Sequence, residues 1–80
     1  MTRAELRRIV AGVLEVEPER LQADTDLKSF ETFDSVGVLS LMIELDEKAG
    51  IRMGPTESNV LRTYGDIEAL ACKQGIELTE

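Results

Sequence analysis

An all-α fold is expected, a small bundle of three main helices plus one short helix with a long loop between helices 1 and 2. Three observations predict it. Apolar residues recur at helical spacing in three segments, cap signals stand at the ends of those segments, and strand-like alternation never persists long enough to build a sheet. With 80 residues the chain buries only a modest share of its surface, so one domain spanning 1–80 is expected and a deep catalytic cleft is not.

The first helix begins at Thr2 with Glu5 three residues on, a capping box, and carries Leu6, Ile9, Val10, Val13 and Leu14 on one face before Pro18 closes the run. The stretch Glu19 to Phe33 has no sustained period and holds Asp24, Thr25, Asp26, Ser29 and Thr32, so it reads as a long loop pinned by Leu21, Leu27 and Phe30. Loops of this length usually carry function. The second helix is expected from Val36 to Ala49, capped by Asp34 or Ser35, with Gly50 in the left-handed position beyond its end. Residues 54–59 read as a loop and Val60-Leu61-Arg62 as one short helical turn. Thr63 with Asp66 then caps a last helix whose Tyr64, Ile67, Leu70 and Ala71 face inward, and Gly75 terminates it.

Composition narrows the function. The chain lacks histidine, the usual general base and imidazole metal ligand, so an enzyme is not expected. Its single cysteine, Cys72, cannot form an internal disulfide and reads as a small buried hydrophobe, in keeping with a reducing cytoplasm. No apolar run approaches a membrane span, and the mixed charges after Met1 do not make a signal peptide; a start at Met1 with a capped helix suggests a discrete, cytoplasmic protein. The formal charge of −7 repels a phosphate backbone and argues against nucleic acid; basic protein partners are favoured. Residues 21–50 carry seven acids and two bases, whereas residues 1–20 carry four of each.

The most informative feature is Asp34-Ser35 at the start of the second helix. Unpaired backbone N–H groups in a first helical turn favour anions, so a phosphodiester on Ser35 would sit well there, although Asp and Ser are also the commonest caps. The helix that follows has two apolar stripes. Val38, Leu41, Leu45 and Met42 make one, while Val36, Leu39 and Ile43 make another that leads toward Asp46 and Glu47. The second stripe is either further core or a contact surface. Asp24 and Asp26 alternate as calcium ligands do, but the further oxygen ligands, glycine and closing glutamate of such a loop do not follow, so capping is the better reading and no metal site is expected. Met42 and Met53 read as core fillers.

In order and spacing the chain resembles the acyl carrier protein family. The resemblance runs through Val13-Leu14-Glu15-Val16, Leu21, Asp24-Thr25-Asp26-Leu27, Phe33-Asp34-Ser35-Val36, the segment Leu41 to Ile51, and Thr63-Tyr64-Gly65-Asp66-Ile67. It implies that a separate phosphopantetheinyl transferase uses magnesium and coenzyme A to attach 4′-phosphopantetheine to Ser35, with Asp34 as helix cap and recognition element. The terminal thiol of the arm would then hold an acyl group as a thioester for acyl-loading, condensing and chain-modifying enzymes of fatty-acid or polyketide synthesis. Those enzymes are expected to set a basic patch against Asp46 and Glu47 and an apolar contact against Val36, Leu39 and Ile43, with the carrier itself a monomer. Two residues depart from the family pattern: Thr32 stands where glycine is usual and Val36 where leucine is usual. The alternatives are a peptidyl or aryl carrier of nonribosomal peptide assembly, in which Gly-Gly commonly replaces Thr32-Phe33, and a carrier-like interaction module that is never modified.

Overall fold

A computed structural model describes residues 1–79. Among them are four α-helices: α1 (Arg3–Leu14), α2 (Ser35–Glu44), α3 (Pro55–Val60) and α4 (Tyr64–Lys73). Isolated bridges occur, but no strand forms among the described residues. No helix among the described residues is long and apolar enough to cross a membrane.

The capping box of α1 closes as expected, the Thr2 hydroxyl accepting the Glu5 N–H and the Glu5 carboxylate accepting the Thr2 N–H, both at 3.1 Å. Those hydrogen bonds favour the ionised carboxylate and hold Glu5 below its usual pKa. The helix stops at Leu14, short of Pro18, because Glu15 turns into the left-handed region at φ 57° and Val16 N–H donates back to Ala11. Pro18 instead opens a 3₁₀ turn, Pro18–Arg20. Leu6, Val10, Ala11 and Leu14 are buried, whereas Ile9 and Val13 pack half-buried at the margin of the core.

The three hydrophobic pins of the long loop, Leu21, Leu27 and Phe30, are all buried. Backbone ties to the segment before α4 add to them. Leu27 N–H donates to Arg62 O (2.8 Å) and Tyr64 N–H to Thr25 O (3.1 Å), so the loop is stitched to a distant part of the chain rather than draped over it. The Asp26 carboxylate accepts the Lys28 N–H at 2.9 Å and caps a second 3₁₀ turn, Leu27–Ser29.

In α2 the core stripe turns inward, with Leu41 and Leu45 buried and Val38 and Met42 half-buried. The helical path continues to Ala49, but its last turn, Leu45–Ala49, widens into a π turn before Gly50 at φ 68° closes it. The short helix lies earlier than expected. It runs over residues 55–60 instead of 60–62, since Pro55 sits at its first position and the Glu57 carboxylate takes the Gly54 N–H at 2.7 Å. Val60 is consequently exposed and Leu61, just past the helix, is buried.

In α4 the Asp66 carboxylate accepts the N–H groups of Arg62 and Thr63 at 2.9 and 3.0 Å, which holds its pKa below the usual value. Tyr64, Ile67 and Ala71 are buried and Leu70 half-buried. Cys72 corrects an expectation, because it is exposed. It stands one residue, about 100° around the helix, beyond inward-facing Ala71. A last feature is non-local: Thr79 brackets the start of α1, accepting the Arg3 N–H (2.8 Å) and donating to Met1 O (3.0 Å).

Candidate functional site

Asp34 is the cap of α2 and Ser35 its first residue. The Asp34 backbone is extended, its Oδ1 accepts the Gly37 N–H and its carbonyl accepts the Val38 N–H, each at 2.8 Å. The N–H groups of Ser35 and Val36 have no intramolecular partner among the described residues, as the opening of any helix dictates. The Ser35 side chain is exposed and its hydroxyl is likewise uncommitted among those residues. Ser29 and Ser58 differ, their hydroxyls donating to the carbonyls of Asp26 (2.6 Å) and Pro55 (3.0 Å).

Ser35 opens onto a cleft of about 570 Å³ lined by Lys28, Phe33, Asp34, Val38, Ser58 and Asn59. Residues of the long loop, the first turn of α2 and α3 meet there, and Lys28 brings a positive charge to an otherwise acidic neighbourhood. An exposed hydroxyl, two free N–H groups and a cation suit a covalently attached phosphodiester. The chain has no histidine to place beside the serine.

Thr32 and Gly37 complete the first turn from behind, and sequence reasoning did not find this pairing. The Thr32 hydroxyl donates to the carbonyl of Leu14 at 2.6 Å, satisfying one of the acceptors left open at the end of α1. Its own carbonyl oxygen lies where a side chain on Gly37 would begin, 1.9 Å from an ideal Cβ. Only glycine permits that approach. A glycine inside a helical pattern is the signal that the sequence offers.

The second stripe of α2 lies outside the core. Val36, Leu39 and Ile43 are 71%, 57% and 49% exposed, large values for aliphatic side chains in so small a chain, and Asp46 and Glu47 are exposed as well. Leu39, Ile43 and Asp46 share a groove of about 370 Å³ with Met42, Met53 and Arg52. Val36 and Glu47 flank it at helical spacing rather than lining it. Met53 is buried, while Met42 lies half-buried in the groove wall. Arg52 is a base that the sequence reading did not place here; Gln74 holds it by accepting its N–H (2.8 Å) and donating to its carbonyl.

Comparison with known proteins gives a family match and a relative. The family model described as "Phosphopantetheine attachment site" matches residues 4–71. An acyl carrier protein of Rhodococcus erythropolis (strain PR4 / NBRC 100887) is 30% identical over 77 residues, a span covering 96% of this chain and 85% of that protein.

Proposed function

This chain belongs to the phosphopantetheine-attachment family, whose members are non-enzymatic carriers served by a phosphopantetheinyl transferase and by biosynthetic enzymes, and from that premise we propose that it carries acyl intermediates of fatty-acid or polyketide synthesis on an arm attached to Ser35. The observation that carries the assignment to Ser35 is its uncommitted, exposed hydroxyl at the first position of α2, beside two free N–H groups. When bound, the arm supplies a terminal thiol that holds the acyl group as a thioester.

The chain's own residues present and orient. Asp34 fixes the first turn so that the Ser35 side chain points away from the core, and the free N–H groups of Ser35 and Val36 with Lys28 offset the phosphodiester's charge. The like charge of Asp34 beside that diester would otherwise oppose it. Partner enzymes dock on α2, with Val36, Leu39 and Ile43 as the apolar centre and Asp46 and Glu47 as the acidic rim. The relative's name supports acyl cargo over peptidyl or aryl cargo, as does Thr32-Phe33 in place of paired glycines.

The test is intact-mass analysis after incubation with a transferase and coenzyme A, followed by mass analysis of protein isolated from its own cells. Ser35→Ala is expected to stay folded and take no arm, and the cellular protein to carry an acyl thioester. An Ser35→Ala protein that still gains the arm's mass would falsify the assignment.

A further inference from the structure

The chain arrives at Ser35 by an unusual anchorage. Thr32 is three residues before the serine, yet its side chain is committed to α1, eighteen residues back, through the 2.6 Å hydrogen bond to Leu14 O. That carbonyl is among the last four of α1, which lack helical partners. Glu15 turns left-handed directly after it, and Val16 N–H is used on Ala11, so the end of α1 offers Leu14 O to the loop. On its other side Thr32 presses its carbonyl oxygen against the Cα of Gly37, with no room for a Cβ. One residue therefore joins the end of α1 to the first turn of α2.

We propose that Thr32 is a positioning residue for arm transfer: it locks the segment carrying Asp34 and Ser35 onto the end of α1, so that a transferase meets a preformed first turn rather than a fluctuating one. The inference rests on Ser35 being the modified residue. Its physical content is a population. If the first turn opens when the tether is cut, only the closed fraction binds productively, and the apparent affinity falls by that fraction while chemistry in the bound complex is unchanged. One net hydrogen bond corresponds to about a fivefold change in such an equilibrium, which sets the ceiling on the fall in the closed fraction.

The experiment measures kcat and KM of a phosphopantetheinyl transferase, with coenzyme A saturating and this protein as the varied substrate. Four variants are compared with the wild type: Thr32→Val, Thr32→Ser, Gly37→Ala and Ile67→Val. Thr32→Val, which keeps the side chain's shape without the hydroxyl, is expected to raise KM, by at most about fivefold, at constant kcat, and Thr32→Ser to restore it. Gly37→Ala attacks the same contact from α2 and should raise KM too, keeping the idea testable if Thr32→Val folds poorly. Ile67→Val is the control for plain destabilisation. Ile67 is buried in α4, and losing one methylene there costs about as much as losing a hydrogen bond, so its melting temperature should fall while KM holds. Amide exchange at Gly37 and Val38 should quicken in Thr32→Val and not in Ile67→Val.

Unchanged KM in both Thr32→Val and Gly37→Ala, or equal KM shifts in Thr32→Val and Ile67→Val, overturns the proposal. Failure of the parent reading looks different: the wild type itself takes no arm, or takes it at a residue other than Ser35.

Discussion

Tyr64 shows how a single residue can serve the core and strain it together. It is fully buried as the first residue of α4, with the Arg7 guanidinium 5.7 Å above its ring, yet its hydroxyl has no hydrogen-bond partner among the described residues. Burial, followed by the nearby Glu68 charge, pushes the phenol well above its ordinary pKa. The folded protein thus holds this proton more tightly than the unfolded chain, so its contribution to stability is full below about pH 10 and is lost as pH rises beyond it. As Tyr64 is the sole tyrosine, ultraviolet absorbance reports it alone. We expect no titration near pH 10 in the folded state, with ionisation appearing together with alkaline unfolding. Tyr64→Phe should melt within about 1 kcal/mol of the wild type at neutral pH and survive to higher pH. A phenolate forming at an ordinary midpoint while circular dichroism stays native would refute this account.

At the scale of the element, α2 must bury one side and offer another. Leu41 and Leu45 anchor it, the Glu44–Lys48 pair at 2.8 Å braces its exposed flank, and the Val36, Leu39, Ile43 stripe stays open to solvent. The ion pair is surface-exposed and contributes little, so the helix is held by packing. If α2 is the docking face, Asp46→Lys with Glu47→Lys should slow arm transfer and flatten its salt dependence with helicity intact, charge acting mainly on the rate of encounter. Glu17 and Glu19 make the control pair, since both are exposed and lie outside α2, whereas Glu15 borders a groove against the far flank of that helix. Equal slowing in both double variants would mean that net charge alone matters and that the docking face lies elsewhere. Leu39→Ala should instead act on how long the complex lasts.

Over the whole molecule, charge and size oppose each other. A formal charge of −7 is confined to 80 residues with a Cα radius of gyration of 11.1 Å, close to one Debye length at about 0.1 M salt, roughly 10 Å. Since the domain measures 29 × 27 × 20 Å, like charges interact across all of it only at low salt, and at about 0.1 M chiefly with close neighbours. Ion pairs among the described residues, such as Arg3 to Glu68 at 3.5 Å and Glu44 to Lys48, are partly exposed and lose little when screened. Screening of the net repulsion should dominate, so the melting temperature is expected to rise with added sodium chloride at constant pH. A flat or falling melting temperature over the screening range would count against an acidic surface maintained at a cost to stability.

Where physics is local, the residues alone determined the outcome. The capping box at Thr2, the Asp34 cap, the Asp66 carboxylate at the start of α4 and Gly50 beyond α2 all depend on neighbours within a few positions, and hydrophobic period marks the inward faces of α1 and α4. Misreadings came where a local rule had rivals. Turn-forming residues around Pro55 and Glu57 mask the capping signal of α3, and the apolar character of Cys72 points to the core although its place on α4 faces solvent. Tertiary structure alone decided whether the second stripe of α2 was core or surface, since that depends on what the rest of the chain leaves uncovered. It also brought Thr32 to Leu14 and Gly37, Thr25 and Leu27 to the start of α4, and Thr79 to α1. These are pairings between single polar groups far apart in sequence, and no period or composition encodes which distant carbonyl a given N–H or hydroxyl will meet.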